Sequence, residues 1–428
     1  MSPRAGRRAL LTALLAALVA AGIVLAERLA REAATGPAPP AGPIVADLAT
    51  VARRTDLPKI RDRDRALLDP VERAAILAAT GDPVLRAERQ RWRAHPCPDP
   101  DRLRPPDRAL ALPSFYGDRV AWRAAARQIH AIEDAVQGLA ARSVAEPDGP
   151  AADCLLDLLV RWADAGALRR FRYAEDDEQA RFALAGTLSG IASGYAVVRG
   201  SLADRDPERR RVESWLATLA RAIVAIPGGP GSCCNNHLYR RGLAAALVGV
   251  VADDPALLAW AAAIPAAALA EMREDGSLPR ETARGGRALH YQNFARAALV
   301  PLAAALRRRG LADPGRRDRT GGRSLAEAGG FLLRGPDDRT AVAPCTDRPQ
   351  DEGVATGGRF LARIELARAH GDDPALRAIA RRHGPFADRT SIGAATLLVA
   401  PPLDPPARHD RHARRDLRDR GSDHDTAS

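Results

Sequence analysis

Apolar residues recur at three- and four-residue intervals through most of this chain. After Ala151 they fall at Leu155, Leu158, Leu159 and Trp162, and after Pro207 at Trp215, Leu219 and Ile223. That spacing gathers apolar side chains on one face of a helix. It predicts helices over 118–143, 152–169, 177–199, 207–226, 237–252, 255–273, 287–309, 324–335 and 355–371, separated by Gly, Pro and Asp. Strand-like alternation is scarce, and Ala, Leu and Arg, all good helix formers, dominate the composition. Helices paired again and again predict an all-α fold of stacked helical hairpins. A toroid of such hairpins and an open solenoid share this pattern, and the absence of a clean repeat period weighs against the solenoid.

A chain of 428 residues can bury a large core, and the run of hairpins favours one catalytic-size domain, over 44–400. Ahead of it, Arg4, Arg7 and Arg8 precede an uncharged apolar run from Ala9 to Ala26 and a Pro/Ala/Gly stretch from Gly36 to Pro43. This reads as an export signal, with Val24-Leu25-Ala26 as a small-residue cleavage site. The run also reaches the lower limit for a spanning helix, so residues 1–43 are expected to be a signal peptide or a membrane anchor plus linker. Residues 310–325, rich in Arg, Gly and Asp, read as a long loop, and 401–428 as a disordered charged tail.

The net charge is +11, with Lys59 the single lysine among 64 basic residues. Residues 1–43 hold five Arg against two Glu and 401–428 hold six Arg against six Asp, so +8 remains on the body. A basic body suits a polyanion: nucleic acid, an anionic membrane or an acidic polysaccharide. No zinc-finger spacing, aromatic-rich RNA signature or Gly-rich phosphate loop is present, which argues against nucleic acid. An exported body faces an oxidising space. Five cysteines, Cys97, Cys154, Cys233, Cys234 and Cys345, then fit two disulfides with one left over, the pairing open.

The densest chemistry is Cys233-Cys234-Asn235-Asn236-His237, followed by Arg284 and by His290-Tyr291. An amide, an imidazole, a guanidinium and a phenol are the groups needed to break a 1,4-linked polyuronate by β-elimination. The C5 proton is weakly acidic because the adjacent carboxylate resists more charge, so that carboxylate must first be neutralised. Asn236, His237 and Arg284 can each donate to it, and charge-assisted bonds are the stronger kind. Tyr291 could take the C5 proton and return it to the leaving oxygen, given a cation to favour its phenolate, and Arg284 lies nearby. His237 is the competing base and His290 a weaker one. The substrate contacts expected around them are Tyr239, Arg240, Arg287, His290 and Tyr116.

Simpler roles compete. Asn235 or Asn236 is a good N-cap for a helix beginning near His237. Cys233, Cys234 and His237 could ligate zinc, but adjacent cysteines hold one metal awkwardly and no fourth ligand is apparent, so no metal or other cofactor is expected. A bridge between adjacent cysteines would be strained, since their Cα atoms are ~3.8 Å apart, and would fix a tight turn before Asn236. No pair of carboxylates has the context for glycoside hydrolysis, Asp253 and Asp254 reading as an ordinary loop before a helix.

Several segments together resemble the mannuronate-specific alginate lyases of polysaccharide lyase family 5. They are Asp153-Cys154 through Leu168, Leu188-Ser189-Gly190, Asn235-Asn236-His237-Leu238-Tyr239, Asp275 through Glu281, and Arg284 through Asn293, in the family's order. The intervals of 47 residues from His237 to Arg284 and 7 from Arg284 to Tyr291 are also similar. The resemblance implies an incomplete α/α toroid with a tunnel-like cleft and endolytic, metal-independent cleavage of poly-β-D-mannuronate. It implies that Asn236 and His237 neutralise the carboxylate, that Arg284 supports them, and that Tyr291 is base and acid. It also implies pairing Cys97 with Cys154 and Cys233 with Cys234, with Cys345 free. Arg240 stands where the family has Trp, and Ser114-Phe115-Tyr116 stands where it has a substrate-contacting Lys, which would leave the cleft a cation short. A lyase for another polyuronide such as glucuronan, or a non-catalytic glycan-binding protein on the same fold, are the alternatives.

Overall fold

A computed structural model describes residues 45–107, 109–115, 117–170, 178–225, 234–311, 346, 348–350, 358–369, 371 and 373–403. All belong to the compact unit Pro43–Ser428. The principal helices are α1 (Pro70–Ala79), α2 (Pro83–Arg93), α3 (Arg119–Ala145), α4 (Ala151–Asp164), α5 (Glu178–Val198), α6 (Asp206–Val224), α7 (Asn236–Val251), α8 (Pro255–Glu271), α9 (Ala288–Arg307), α10 (Arg363–Arg368), α11 (Pro374–His383) and α12 (Ala395–Val399). No strand occurs among the described residues. The expected signal or anchor, the cleavage site at Ala26, the helix over 324–335, Cys345 and the tail beyond Leu403 lie outside the described residues.

Consecutive helices alternate between two layers of an α/α toroid. In the inner layer α3 packs on α5, α5 on α7, α7 on α9, and α9 on α10. The outer layer contains α4, α6 and α8, each leaning on the inner helices beside it. Burial follows the layers. On α4, Leu155, Leu158, Leu159 and Trp162 face inward while Asp153, Asp157 and Arg161 are exposed, whereas α7 is buried almost all round. The last described segment turns back across the ring. α12 packs against α1, α2 and α3, and the buried Arg73 guanidinium of α1 donates to the carbonyls of Thr396, Leu397 and Ala400.

Helix boundaries have local causes. Asp69, Asp82, Asp254 and Asp373 each accept backbone N–H bonds at a helix start and are followed by Pro at the first helical position. The expected helix over 152–169 stops at Asp164, because Gly166 takes φ +59° and the Ala167 N–H turns back to the Trp162 carbonyl. The expected helix over 355–371 is two short helices, Gly358–Leu361 and α10. α1, α2, α11 and α12 lie where no helix was expected, although three of them open on Asp-Pro.

Candidate active site

Glycine makes room for the site's far wall. A Cβ on Gly190 of α5 would lie 2.2 Å from the Arg389 carbonyl oxygen, and one on Gly393 would lie 2.0 Å from Oε1 of Gln137. Their hydrogen side chains let the loop 388–394 press onto α3 and α5. Gly393 also has φ +70°. Between these elements opens a cleft of about 820 Å3, walled by Trp92, His95, Phe115, Trp122, Phe182, Arg240 and Thr390 among others. Four arginines, Arg91, Arg123, Arg240 and Arg389, line it. Phe115 lines the cleft without a charge, as expected, and these arginines bring cations to it from other positions. The cleft's three carboxylates are engaged: Asp134 pairs with Arg389 at 3.1 Å, Glu133 accepts from the Thr187 hydroxyl at 2.6 Å, and Asp388 accepts from the Thr390 and Ser391 hydroxyls at 2.7 and 2.6 Å.

The N-termini of α5, α7 and α9 converge beside this cleft. Asn235 caps α7, its side-chain oxygen accepting the His237 N–H at 3.0 Å. The cap role considered for this pair thus falls to Asn235, and Asn236 is the first helical residue. The Asn236 backbone N–H donates to one oxygen of Glu281 at 2.6 Å, and its side-chain Nδ2 donates to the other at 2.9 Å. Glu281 is fully buried and sits in the short helix Pro279–Thr282. Burial pushes its carboxyl up to about 7, against the opposing pull of its bonds to Asn236 and of Arg284 and Arg280. Arg280 is itself held on Glu271 of α8 at 2.8 Å.

Arg284 follows one turn later, exposed, with its guanidinium carbon 4.8 Å from the centre of the Tyr291 ring. A chain of ring contacts then joins Tyr291 to His237. His290 meets Tyr291 edge-on at 5.3 Å and Phe294 at 5.4 Å, Phe294 meets Phe182 at 5.3 Å, and Phe182 meets His237 at 4.8 Å. Phe182 also walls the cleft. Asn236, His237, Arg284 and Tyr291, up to 55 residues apart in sequence, are thereby linked to Phe182, the member of this series of rings that walls the cleft.

The residues expected to contact substrate divide. His290 and Arg287 are half-buried at the start of α9. Tyr239 is 2% exposed, its phenol pushed well above the usual range by burial and by Glu281 and Glu271, so it lies beneath the site rather than on its surface. Arg240 is also 2% exposed, yet its guanidinium reaches the cleft wall, flanked by the Phe182 and Phe294 rings and donating to the Thr390 hydroxyl at 3.2 Å. Tyr116 lies outside the described residues. Cys97 and Cys154 are bridged. Cys234 is disulfide-bonded and so offers no thiolate to zinc, while its expected partner Cys233 lies outside the described residues. Asp254, apart from the site, caps α8.

Glu281, Phe182, Phe294 and Thr390 belong to this region without having been expected there. Phe182, Phe294 and Thr390 carry no local motif. Glu281 sits in a quoted segment, but its partner Asn236 is 45 residues away, and only packing reveals the bond.

The family model described as alginate lyase matches residues 87–341. A polysaccharide lyase of Stenotrophomonas maltophilia is 37% identical over 163 residues, covering 38% of this chain and 49% of that protein. An alginate lyase of Azotobacter vinelandii is 28% identical over 288 residues, covering 66% and 75%. Among solved structures, alginate lyase A1-III from Sphingomonas species A1 superposes with a TM-score of 0.70 at 26% identity, covering 80% of this chain and 98% of that one. A His-to-Ala form of the same enzyme, complexed with a tetrasaccharide, superposes with a TM-score of 0.71. The chain thus spans about half of the first relative and nearly all of the A1-III structure.

Proposed function

We propose, on the premise that this chain belongs to the alginate lyase family, that it is a polysaccharide lyase cleaving 1,4-linked polyuronate, alginate and its mannuronate blocks foremost, by β-elimination. The observation that carries this reading is the series of contacts that joins Tyr291, with Arg284 on its ring, and His237, next to Asn236, to Phe182 in the wall of an arginine-lined cleft. Three helix N-termini meet there, and their partial positive charge adds to the guanidinium groups in favouring an anionic polymer. The tetrasaccharide complex of the A1-III enzyme, on the same fold, supports an oligosaccharide in the corresponding cleft.

In the proposed reaction the Asn236 amide and the His237 imidazole donate to the uronate carboxylate, so that charge spreading onto it as C5 loses its proton is stabilised where it develops. Arg284 places positive charge against the Tyr291 ring, which favours the phenolate. The Tyr291 oxygen takes the C5 proton. The electron pair forms the C4–C5 double bond, the C4–O bond breaks, and the same hydroxyl returns the proton to the leaving oxygen. Arg240, held by Thr390 between two aromatic rings, presents a cation to a neighbouring sugar. The basic N-terminus and apolar run from Ala9 to Ala26 support export to the periplasm or beyond.

The test is ultraviolet absorbance over time with polymannuronate, polyguluronate and glucuronan separately, a chelator present throughout. Absorbance rising fastest with polymannuronate is expected, from the conjugated double bond of elimination. A flat trace with every polymer, from folded protein, would overturn the lyase reading in favour of glycan binding alone.

A further inference from the structure

We infer that Glu281 is a positioning residue, whose buried carboxylate sets which face of the Asn236 amide meets the substrate. The inference rests on the proposed role of Asn236 in neutralising the uronate carboxylate. An amide can present either its N–H or its carbonyl oxygen, and the two have opposite effects on an anion. Nothing within Asn236 chooses between them. Glu281 does, because its oxygens accept simultaneously from the Asn236 backbone N–H at 2.6 Å and from Nδ2 at 2.9 Å. The backbone bond fixes where the carboxylate stands, and the Nδ2 bond fixes the rotation of the amide. Asn236 is 2% exposed, and the second Nδ2 hydrogen is the one it would offer a ligand, with the Asn236 carbonyl held away from the carboxylate. Carbonyl and carboxylate would repel were the amide reversed.

The same carboxylate satisfies one of the N–H groups that the first turn of α7 leaves without a helical partner. A merely structural anchor would stop there. Two features go further: the bond to the side chain of Asn236, and the carboxyl's titration near neutrality, at about 7. Burial, opposed by Asn236, Arg284 and Arg280, sets this titration, and the charged and titratable groups near it come from each element around it. Arg280 and Arg284 flank it on its own turn, Tyr239 faces it from α7, and Glu271 stands behind Arg280 on α8. Protonating Glu281 removes an acceptor from one of the two Asn236 donors and frees the amide to turn. Activity therefore falls as pH drops through about 7, before any carboxylate of the polymer is protonated.

The experiment compares wild type, E281Q and N236A on polymannuronate across pH 5–9. For E281Q, kcat is expected to fall about 10- to 100-fold with KM changed less than about threefold, since alignment acts on the transition state, and the acidic limb of kcat/KM near pH 7 should vanish. An E281Q enzyme with wild-type kcat and an unchanged acidic limb, alongside an inactive N236A, would overturn the positioning role and leave the parent reading intact. Full turnover by N236A would remove Asn236 from the reaction, and the inference with it. Should E281Q not fold, wild-type protein labelled with 15N-asparagine decides. The Asn236 side-chain amide signals, identified by their loss in N236A, are expected to shift with a midpoint of about 7, and constancy from pH 5 to 9 overturns the inference.

Discussion

Tyr291 has Arg284 against its ring and His290 edge-on, an environment that combines a cation with an aromatic wall. Replacing Tyr291 with Phe keeps both contacts and removes only the hydroxyl. Y291F is expected to lower kcat by about 10²- to 10⁴-fold while polymer affinity, measured by titration calorimetry, stays within a few-fold of wild type. Turnover surviving in Y291F would transfer the base to His237. Glu281 carries a second prediction, on stability. Its carboxyl titrates at about 7 in the fold against 4.5 when exposed, so between these values the unfolded chain loses a proton that the folded chain keeps. Stability therefore falls as pH rises from 4.5 to 7, by about 3 kcal/mol in all, and is flat beyond. Urea unfolding of wild type and E281Q at pH 4.5 and pH 8 checks this, since the difference between the two proteins should change by that amount.

The seven helices from α3 to α9 were legible, all but the end of α4 to within about two residues, because their periodicity is a local signal. Helix α1 was not, although it opens on Asp-Pro; its ten residues are too few for the apolar period to stand out beside the Arg-rich sequence around it. The Leu188-Ser189-Gly190 segment gains its physical meaning here. Gly190 is required because the Arg389 backbone crosses α5 at that point, with Gln137 of α3 donating to the Gly190 carbonyl at 2.6 Å. Replacing Gly190 with Ala should cost about 1–3 kcal/mol of stability. It should also raise KM, because the displaced loop carries Arg389 and the Thr390 partner of Arg240. Thermal unfolding and steady-state kinetics of G190A measure both, and a variant unchanged in each would refute the close-packing argument.

Across the whole molecule, much of the arginine excess works inside the fold. Arg73 holds the end of α12, Arg368 donates to the Pro401 carbonyl, and Arg63 and Arg199 converge on Glu213. Net charge alone therefore overstates what faces a polyanion; the arginines lining the cleft are the relevant ones. The Cys97–Cys154 bridge ties the segment ahead of α3 to the outer helix α4 across 57 residues. By loop-closure entropy its removal in a C97S/C154S double variant should cost about 4 kcal/mol, read as a lower denaturant midpoint in oxidising buffer. An unchanged midpoint would show that the segment is held by packing alone.

By itself the sequence determined the helical class and placed the long helices α3 to α9, and it singled out the four side chains of the candidate site, because periodicity, capping and side-chain chemistry act within a few residues or reside in the residue itself. Only the tertiary structure decided which way those residues face. It turned Tyr239 inward, set Arg240 between Phe182 and Phe294, brought Glu281 onto Asn236, and carried the loop 388–394 back to the helices that begin the ring. Each of those contacts joins residues dozens to hundreds of positions apart. They depend on how neighbouring helices pack and on how the ring is bridged, for which no short stretch of sequence carries a signal.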